Sequence, residues 1–319
     1  MKTPREIEQI LATLRNLHIK TSRDAEFASH LDRLLKRDVD GNLLPEARRF
    51  TRTGETRGIM VVDGPGGGKS TLVDRSLARH PVLAGTGREA PFYLSGIVPS
   101  PATFKCMTLE LLERSGYPEV SGRREAWNMW QVLRNRLRML GVSVLWIDEA
   151  HDLFCADRNL ILRAIKTLMQ GEHAVIVILS GTEQLSEIIR SDPQVKRRFS
   201  AIHLPPIASE VDRDLFTSVL EDYCRRADLE PPEEDDIMDR LFHGARYRFG
   251  RCVELIVAAI ERALEDGAPQ VDVQAFAQAW AMQEGCPPDR NIFLVEDWRA
   301  ITLDGEESPA GVHNRKRRG

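Results

Sequence analysis

The sequence predicts an α/β fold, a parallel sheet flanked by helices, with a small all-helical domain behind it. Three observations carry this. An apolar run at 59–62 enters the stretch Asp63-Gly64-Pro65-Gly66-Gly67-Gly68-Lys69-Ser70-Thr71 and then a helical pattern. Two further runs of strand length, 142–147 and 174–179, end in the polar groups Asp148-Glu149 and Ser180-Gly181-Thr182. A strand apolar on both faces belongs in a sheet covered on both sides, which is the setting of parallel strands. Beyond Pro205-Pro206 the alternation stops, and 209–226, 234–243, 250–266 and 272–284 all have apolar residues at helical spacing.

The first stretch has the layout of a phosphate-binding loop: strand, glycine-rich turn, Lys-Ser, helix. Glycines let successive backbone N–H groups converge on one anion, and the helix N-terminus adds its positive end. Gly64, Pro65, Gly66, Gly67, Gly68, Lys69, Ser70 and Thr71 are therefore the candidate ATP-binding loop. Lys69 is expected on the β- and γ-phosphates and the Ser70 hydroxyl on Mg²⁺. The regular motif wants glycine six residues before the lysine, where this chain has Asp63. Binding survives that departure more readily than turnover does.

The run ending in Asp148-Glu149 presents two carboxylates at a strand end. Asp148 is expected to hold Mg²⁺, directly or through water, and Glu149 to orient and deprotonate an attacking water. Ser180 or Thr182, at the end of the third run, is placed to sense a γ-phosphate.

The remaining segments follow in order. Residues 4–18 and 23–37 read as helices, and 38–58 as a polar connector whose arginines are solvated. Phe92 to Gly96 is a second strand, followed by a helix to Leu112. Trp127, Trp130, Leu133, Leu137 and Leu140 mark the core face of a helix over 124–140. A helix at 158–170 precedes the third apolar run, and 202–204 is a short last strand. The expected domains are an N-terminal helical extension and connector (1–57), a nucleotide-binding core (58–206), a helical lid (207–286) and a partly disordered tail (287–319). In that tail Phe293 and Trp298 lack a helix of their own, so 291–298 is expected to dock on a partner.

Composition narrows the class. A net charge of −4 does not by itself mark a nucleic-acid binder. The five cysteines are scattered and form no C-x-x-C pair, which argues against a disulfide framework or zinc site and for a reducing cytoplasm. No apolar run has the length to span a bilayer, so no membrane partner is expected.

The phosphate loop, the Asp-Glu strand end, a polar third strand end, Arg197-Arg198-Phe199 and an all-helical lid, in this order, resemble the AAA+ ATPases over about 58–285. Within them the chain resembles the TniB/TnsC-type ATPases of transposons, relatives of MuB and IstB. Residues 18–23 before the second helix, Leu179 to Leu185, and Asn291-Ile292-Phe293 with Trp298 carry that narrower likeness. The resemblance implies an ATPase that assembles as a ring or helical filament on double-stranded DNA and recruits a transposase or a targeting subunit. It implies Arg198 as an arginine finger completing a neighbour's site, with Arg197 as the alternative, and Arg251 as a nucleotide-sensing arginine of the lid. It implies DNA-backbone contacts in the loops after the second strand, with Lys105, Arg123 and Arg124 as candidates. A STAND-type signalling ATPase or a helicase-loader or origin-type ATPase is the alternative. The first usually adds long repeats and the second a winged helix, and neither is evident here.

Overall fold

The structure, a computed structural model, describes residues 2–85, 87–117 and 125–303, apart from the side chains of 154–157. The chain forms two compact units. One is made of residues 20–205; the other joins 1–19 to the segment after 205.

In order, the elements before the sheet are α1 (Pro4–Arg15), α2 (Ser22–Leu34), β1 (Leu35–Arg37) and β2 (Leu43–Ala47). Next come β3 (Gly58–Val62), α3 (Lys69–Ala78), β4 (Tyr93–Ile97), α4 (Phe104–Arg114) and α5 (Ala126–Leu140). Then follow β5 (Val144–Asp148), α6 (Ala150–Leu168), β6 (Ile176–Gly181), α7 (Glu183–Arg190), α8 (Pro193–Lys196) and β7 (Phe199–His203). The helices α9 (Ser209–Ala227), α10 (Ile237–Gly244), α11 (Phe249–Asp266) and α12 (Val273–Glu284) follow, with short 3₁₀ turns at Pro288–Arg290 and Trp298–Ala300.

In the first unit β3 to β7 form a five-stranded parallel sheet in the order β4-β5-β6-β3-β7. Every residue of β3, β5 and β6 is buried, because helices cover both faces. One face packs Met60, Leu145, Val177 and Leu179 against α4, α5 and α6; the other packs Ile59, Val61, Val144 and Ile178 against α2 and α3. Parallel pairing puts all five C-terminal strand ends on one edge, the position where open α/β sheets bind ligands. Val62 pairs with Gly181, and Ile147 with Leu179, so the phosphate loop and the two polar strand ends share that edge.

The connector at 38–58 is more ordered than its polarity suggests. Its β2 pairs as an antiparallel hairpin with β1, which takes the last three residues of the segment expected as the second helix, with a register shift between Leu35 and Lys36. Helix α6 begins at Ala150, directly after the Asp-Glu strand end and eight residues before the expected start.

The second unit packs α1 with α9 to α12. Leu11 and Leu14 share one core with Phe216, Phe242, Ile256 and Phe276. The expected N-terminal extension therefore divides between the units: its first helix belongs with the helices after 206, its second with the sheet. The tail also differs from expectation. Ile292, Phe293 and Trp298 are buried within this unit. Phe293 stacks on Phe276 with centroids 5.3 Å apart, and Trp298 lies 5.4 Å from the His243 ring. Asn291 Nδ2 donates to the Ala277 carbonyl at 2.8 Å, and Arg240 Nη1 donates to the carbonyls of Ile292 and Val295 at 2.6 and 2.8 Å. Gly244 makes room: a Cβ there would lie 2.4 Å from Ile292 Cδ1. Asn291, Ile292, Phe293 and Trp298 are intramolecular core, so the apolar anchors of the segment are not free for docking. The basic run 315–318 lies outside the described residues.

Candidate nucleotide site

The loop between β3 and α3 is built by its glycines. Gly66 and Gly68 have φ of 75° and 90°, the left-handed region that other residues enter at a cost, and Gly68 is the N-cap of α3. Lys69 is the first residue of the helix and only 5% exposed. Its Nζ donates to the carbonyls of Asp63 and Gly64, both at 3.0 Å, which holds the ammonium inside the turn. Ser70 is half-buried and Thr71 exposed beside it in the first turn of α3.

Asp63 has a structural place here. It is 4% exposed, and its Oδ1 accepts from the Gly64 N–H at 2.7 Å. A Cβ on Gly67 would come within 1.6 Å of Asp63 Oδ2, so the carboxylate fills the space that a glycine side of the turn leaves open. A negative group thus sits within the turn. Sequence reading missed a further support: Arg23, in the first turn of α2, donates to the Gly67 carbonyl at 3.3 Å and to the Pro205 carbonyl at 2.6 Å. Only the folded chain brings it there, across forty-four positions.

At the end of β5, Asp148 is 5% exposed and fixed by a short relay. The Trp146 indole N–H donates to Ser180 Oγ at 2.8 Å, and the Ser180 hydroxyl donates to Asp148 Oδ1 at 2.5 Å. The Glu149 N–H donates to the same oxygen at 3.0 Å. Of the two sensing candidates, Ser180 is fully buried and donates to the aspartate, and Thr182 is half-buried at the N-cap of α7. Glu149 has φ 51° and ψ 37°, a left-handed conformation that costs a non-glycine residue on the order of 1 kcal/mol and recurs at functional sites. Its side chain is 42% exposed.

These groups suit a nucleoside triphosphate with Mg²⁺. Among the described residues no cluster of three or more His, Cys, Asp and Glu could hold a metal alone. Mg²⁺ bound with phosphates needs few protein oxygens, because phosphate and water supply the rest. Ser70 and Asp148 carry oxygens of that kind.

The arginine pair departs from expectation. Arg198 is 5% exposed, donating through Nη2 to Glu55 Oε1 at 2.5 Å and through Nη1 to the Lys166 carbonyl at 3.1 Å. Burial lowers its pKa, and the neighbouring Glu55 carboxylate opposes that shift. Glu55, 12% exposed, also accepts from Gln170 Nε2 at 3.1 Å. So buried a guanidinium cannot meet another subunit while this packing holds. Arg197 is 61% exposed and touches the same carboxylate at 3.2 Å. Both precede β7, and Phe199 pairs with Gly58, the first residue of β3. They therefore lie at the sheet end opposite the phosphate loop, with a five-residue strand of roughly 17 Å between.

The other expected contacts are distributed. Arg251 lies in the first turn of α11, within the second unit. Lys105 is in the first turn of α4, half-buried. Arg123 and Arg124 lie outside the described residues.

A family model described as "Bacterial TniB protein" matches residues 42–209. No curated protein matches the chain in sequence. Among solved structures the fold is similar to the Aeropyrum pernix ORC1 protein in complex with DNA, with TM-score 0.61, 17% identity, and coverage of 84% of this chain and 65% of that one. It is similar to CDC6P from Pyrobaculum aerophilum, with TM-score 0.60, 14% identity and coverage of 84% and 69%. A Walker-type ATPase of Pyrococcus abyssi gives TM-score 0.52, 14% identity and coverage of 85% and 76%. The chain thus spans about two thirds of the ORC1 chain's length. At these identities the similarity concerns the fold.

Proposed function

The chain belongs to the TniB family and has the AAA+ fold, and from that premise we propose that it is an ATPase regulating DNA transposition. It assembles on double-stranded DNA in its ATP state and recruits or activates a transposase. The observation that carries the reading is the shared sheet edge: a glycine turn closed around Lys69, facing strand ends that present Asp148 and Glu149.

Each side chain then has a task. Backbone N–H groups of 66–70 and the start of α3 receive the phosphates, and Lys69 pairs with the β- and γ-phosphate oxygens. Ser70 and Asp148 would hold Mg²⁺, which would neutralise charge on those oxygens. The Trp146–Ser180 relay keeps Asp148 in one orientation, so the aspartate does not reorganise as charge develops. Glu149 takes a proton from water. Arg197, exposed and remote from its own loop, is the better candidate for the arginine that completes a neighbour's site, with Arg198 as its buried support. Arg251, in the first turn of α11, is the nucleotide-sensing candidate of the helical unit, and Thr182, at the N-cap of α7, that of the sheet unit. Lys105, Arg123 and Arg124 contact the DNA backbone. No described helix is long and apolar enough to cross a membrane, and the four described cysteines are free, which suits a cytoplasmic protein.

The fold similarity to ORC1 and CDC6P favours a second reading, an origin-type ATPase. Co-purification with a DDE transposase, dependent on ATP and DNA, separates the two. Capture of the transposase supports transposition; ATP-dependent DNA binding with no transposase capture supports the origin-type reading.

A further inference from the structure

His151 has no task in the reaction above, yet it lies between two of its parts. It is in the first turn of α6, with its side chain 15% exposed. Its buried Nδ1 is 3.3 Å from Glu149 Oε2 but out of hydrogen-bond alignment with it, and its Nε2 is 3.6 Å from Asp152 Oδ1. On its other side the ring lies on Gly181, the last residue of β6: a Cβ at 181 would come within 3.1 Å of Nδ1. Gly181 is not among the residues of positive φ, so the backbone does not demand glycine there. The ring and Leu185, both at 3.1 Å, leave a side chain there little room without moving.

Glu149 needs such a neighbour. Its side chain is long and 42% exposed, and it springs from a left-handed backbone at a helix start. Left alone it would sample several rotamers, whereas a general base must stand within hydrogen-bond reach of its water. A donor on one carboxylate oxygen fixes the group and leaves the other oxygen for the water.

We propose that His151 is a positioning residue for Glu149: a small turn of the carboxylate brings Oε2 into line with Nδ1–H, which then donates to it, and Gly181 backs the ring, so the direction of the base is tied to the end of β6. The residue after Gly181 is Thr182, the candidate phosphate sensor, so a shift at that strand end reaches the base through the imidazole. The proposal rests on the reading of Glu149 as the base.

The test is steady-state ATP hydrolysis by the full chain, with nucleotide affinity and melting temperature measured on the same samples. His151→Ala is expected to lower kcat about tenfold or more with KM and ATP affinity unchanged. His151→Asn carries an amide nitrogen near the place of Nδ1 and is expected to recover most of kcat; His151→Gln carries it near Nε2 and is not. Gly181→Ala pushes the ring and is expected to reproduce the loss. A merely space-filling histidine would not separate Asn from Gln in kcat. Parental kcat in both His151→Ala and Gly181→Ala, or equal kcat in Asn and Gln, overturns the proposal. If His151→Ala fails to fold, the Asn and Gln pair and Gly181→Ala decide it. Glu149→Gln separates the levels: if it hydrolyses ATP like the parent, the reading of Glu149 fails and the proposal with it. If Glu149→Gln is inactive while His151→Ala is parental, only the role of His151 falls.

Discussion

Replacing Arg197 and Arg198 singly by alanine should produce opposite phenotypes, although the two are adjacent and touch one carboxylate. Arg198→Ala removes a guanidinium 5% exposed and leaves Glu55, 12% exposed, with less countercharge. Breaking a buried pair from one side costs roughly 3–5 kcal/mol. Arg197 and Gln170 remain on Glu55, so the lower end applies, about 3 kcal/mol. For a unit of this size that is a fall in melting temperature of roughly 6–12 °C. Arg197→Ala loses an ion pair whose arginine is 61% exposed, worth less than about 1 kcal/mol. Its melting temperature should stay within a few degrees of the parent. If Arg197 completes a neighbour's site, its loss should cost on the order of 10³-fold in turnover while ATP still binds. Calorimetric melting and phosphate release on both variants are the assay. Mixing Arg197→Ala with Lys69→Ala should restore part of the activity, because some interfaces then join an intact loop to an intact arginine. The reasoning is refuted if Arg198→Ala melts like the parent yet is inactive while Arg197→Ala is fully active. That outcome would mean Arg198 leaves its buried site on assembly.

Three further outcomes follow from the same packing. Asp63→Asn keeps the shape that fills the loop and removes a negative charge; ATP affinity should rise several-fold, about 1 kcal/mol, and unchanged affinity would mean the carboxylate is not felt by the phosphates. Ser180→Ala breaks the relay to Asp148 at a cost of about 1.5–3 kcal/mol; Mg²⁺-dependent ATP binding should weaken in titration, and parental binding would show that Asp148 needs no support. Trp298→Ala should destabilise the helical unit by about 3–5 kcal/mol, read from melting of the chain; an unchanged transition would mean the segment after α12 is not core.

Local chemistry was legible in the sequence where it is continuous. The glycine turn, the three apolar strands and the helices of the second unit are read from adjacent residues and period, and each lies within a few positions of its expected place. What could not be read depends on which of two similar residues points inward. Arg197-Arg198 carries no mark of which is buried; that follows from Glu55, in a stretch whose polarity reads as solvated. Ser180 and Thr182 are alike as residue types, but β6 turns Ser180 toward Asp148. Phe293 and Trp298 show no period because no α-helix carries them, and their burial follows from the Phe276 and His243 rings against which they lie. The hairpin of β1 and β2 is short, partly exposed and interrupted by Pro45, so alternation gives it no signal.

Calorimetric titration of ATP–Mg²⁺ into the parent and Lys69→Ala proteins tests the central claim, that the turn closed around Lys69 is the nucleotide site. Lys69 is the cation held inside that turn, and a charge-assisted bond of this kind is worth roughly 1.5–3 kcal/mol. The account predicts saturable binding to the parent and an affinity about ten- to a hundredfold lower in the variant. Equal affinities, with both proteins melting alike, would contradict it.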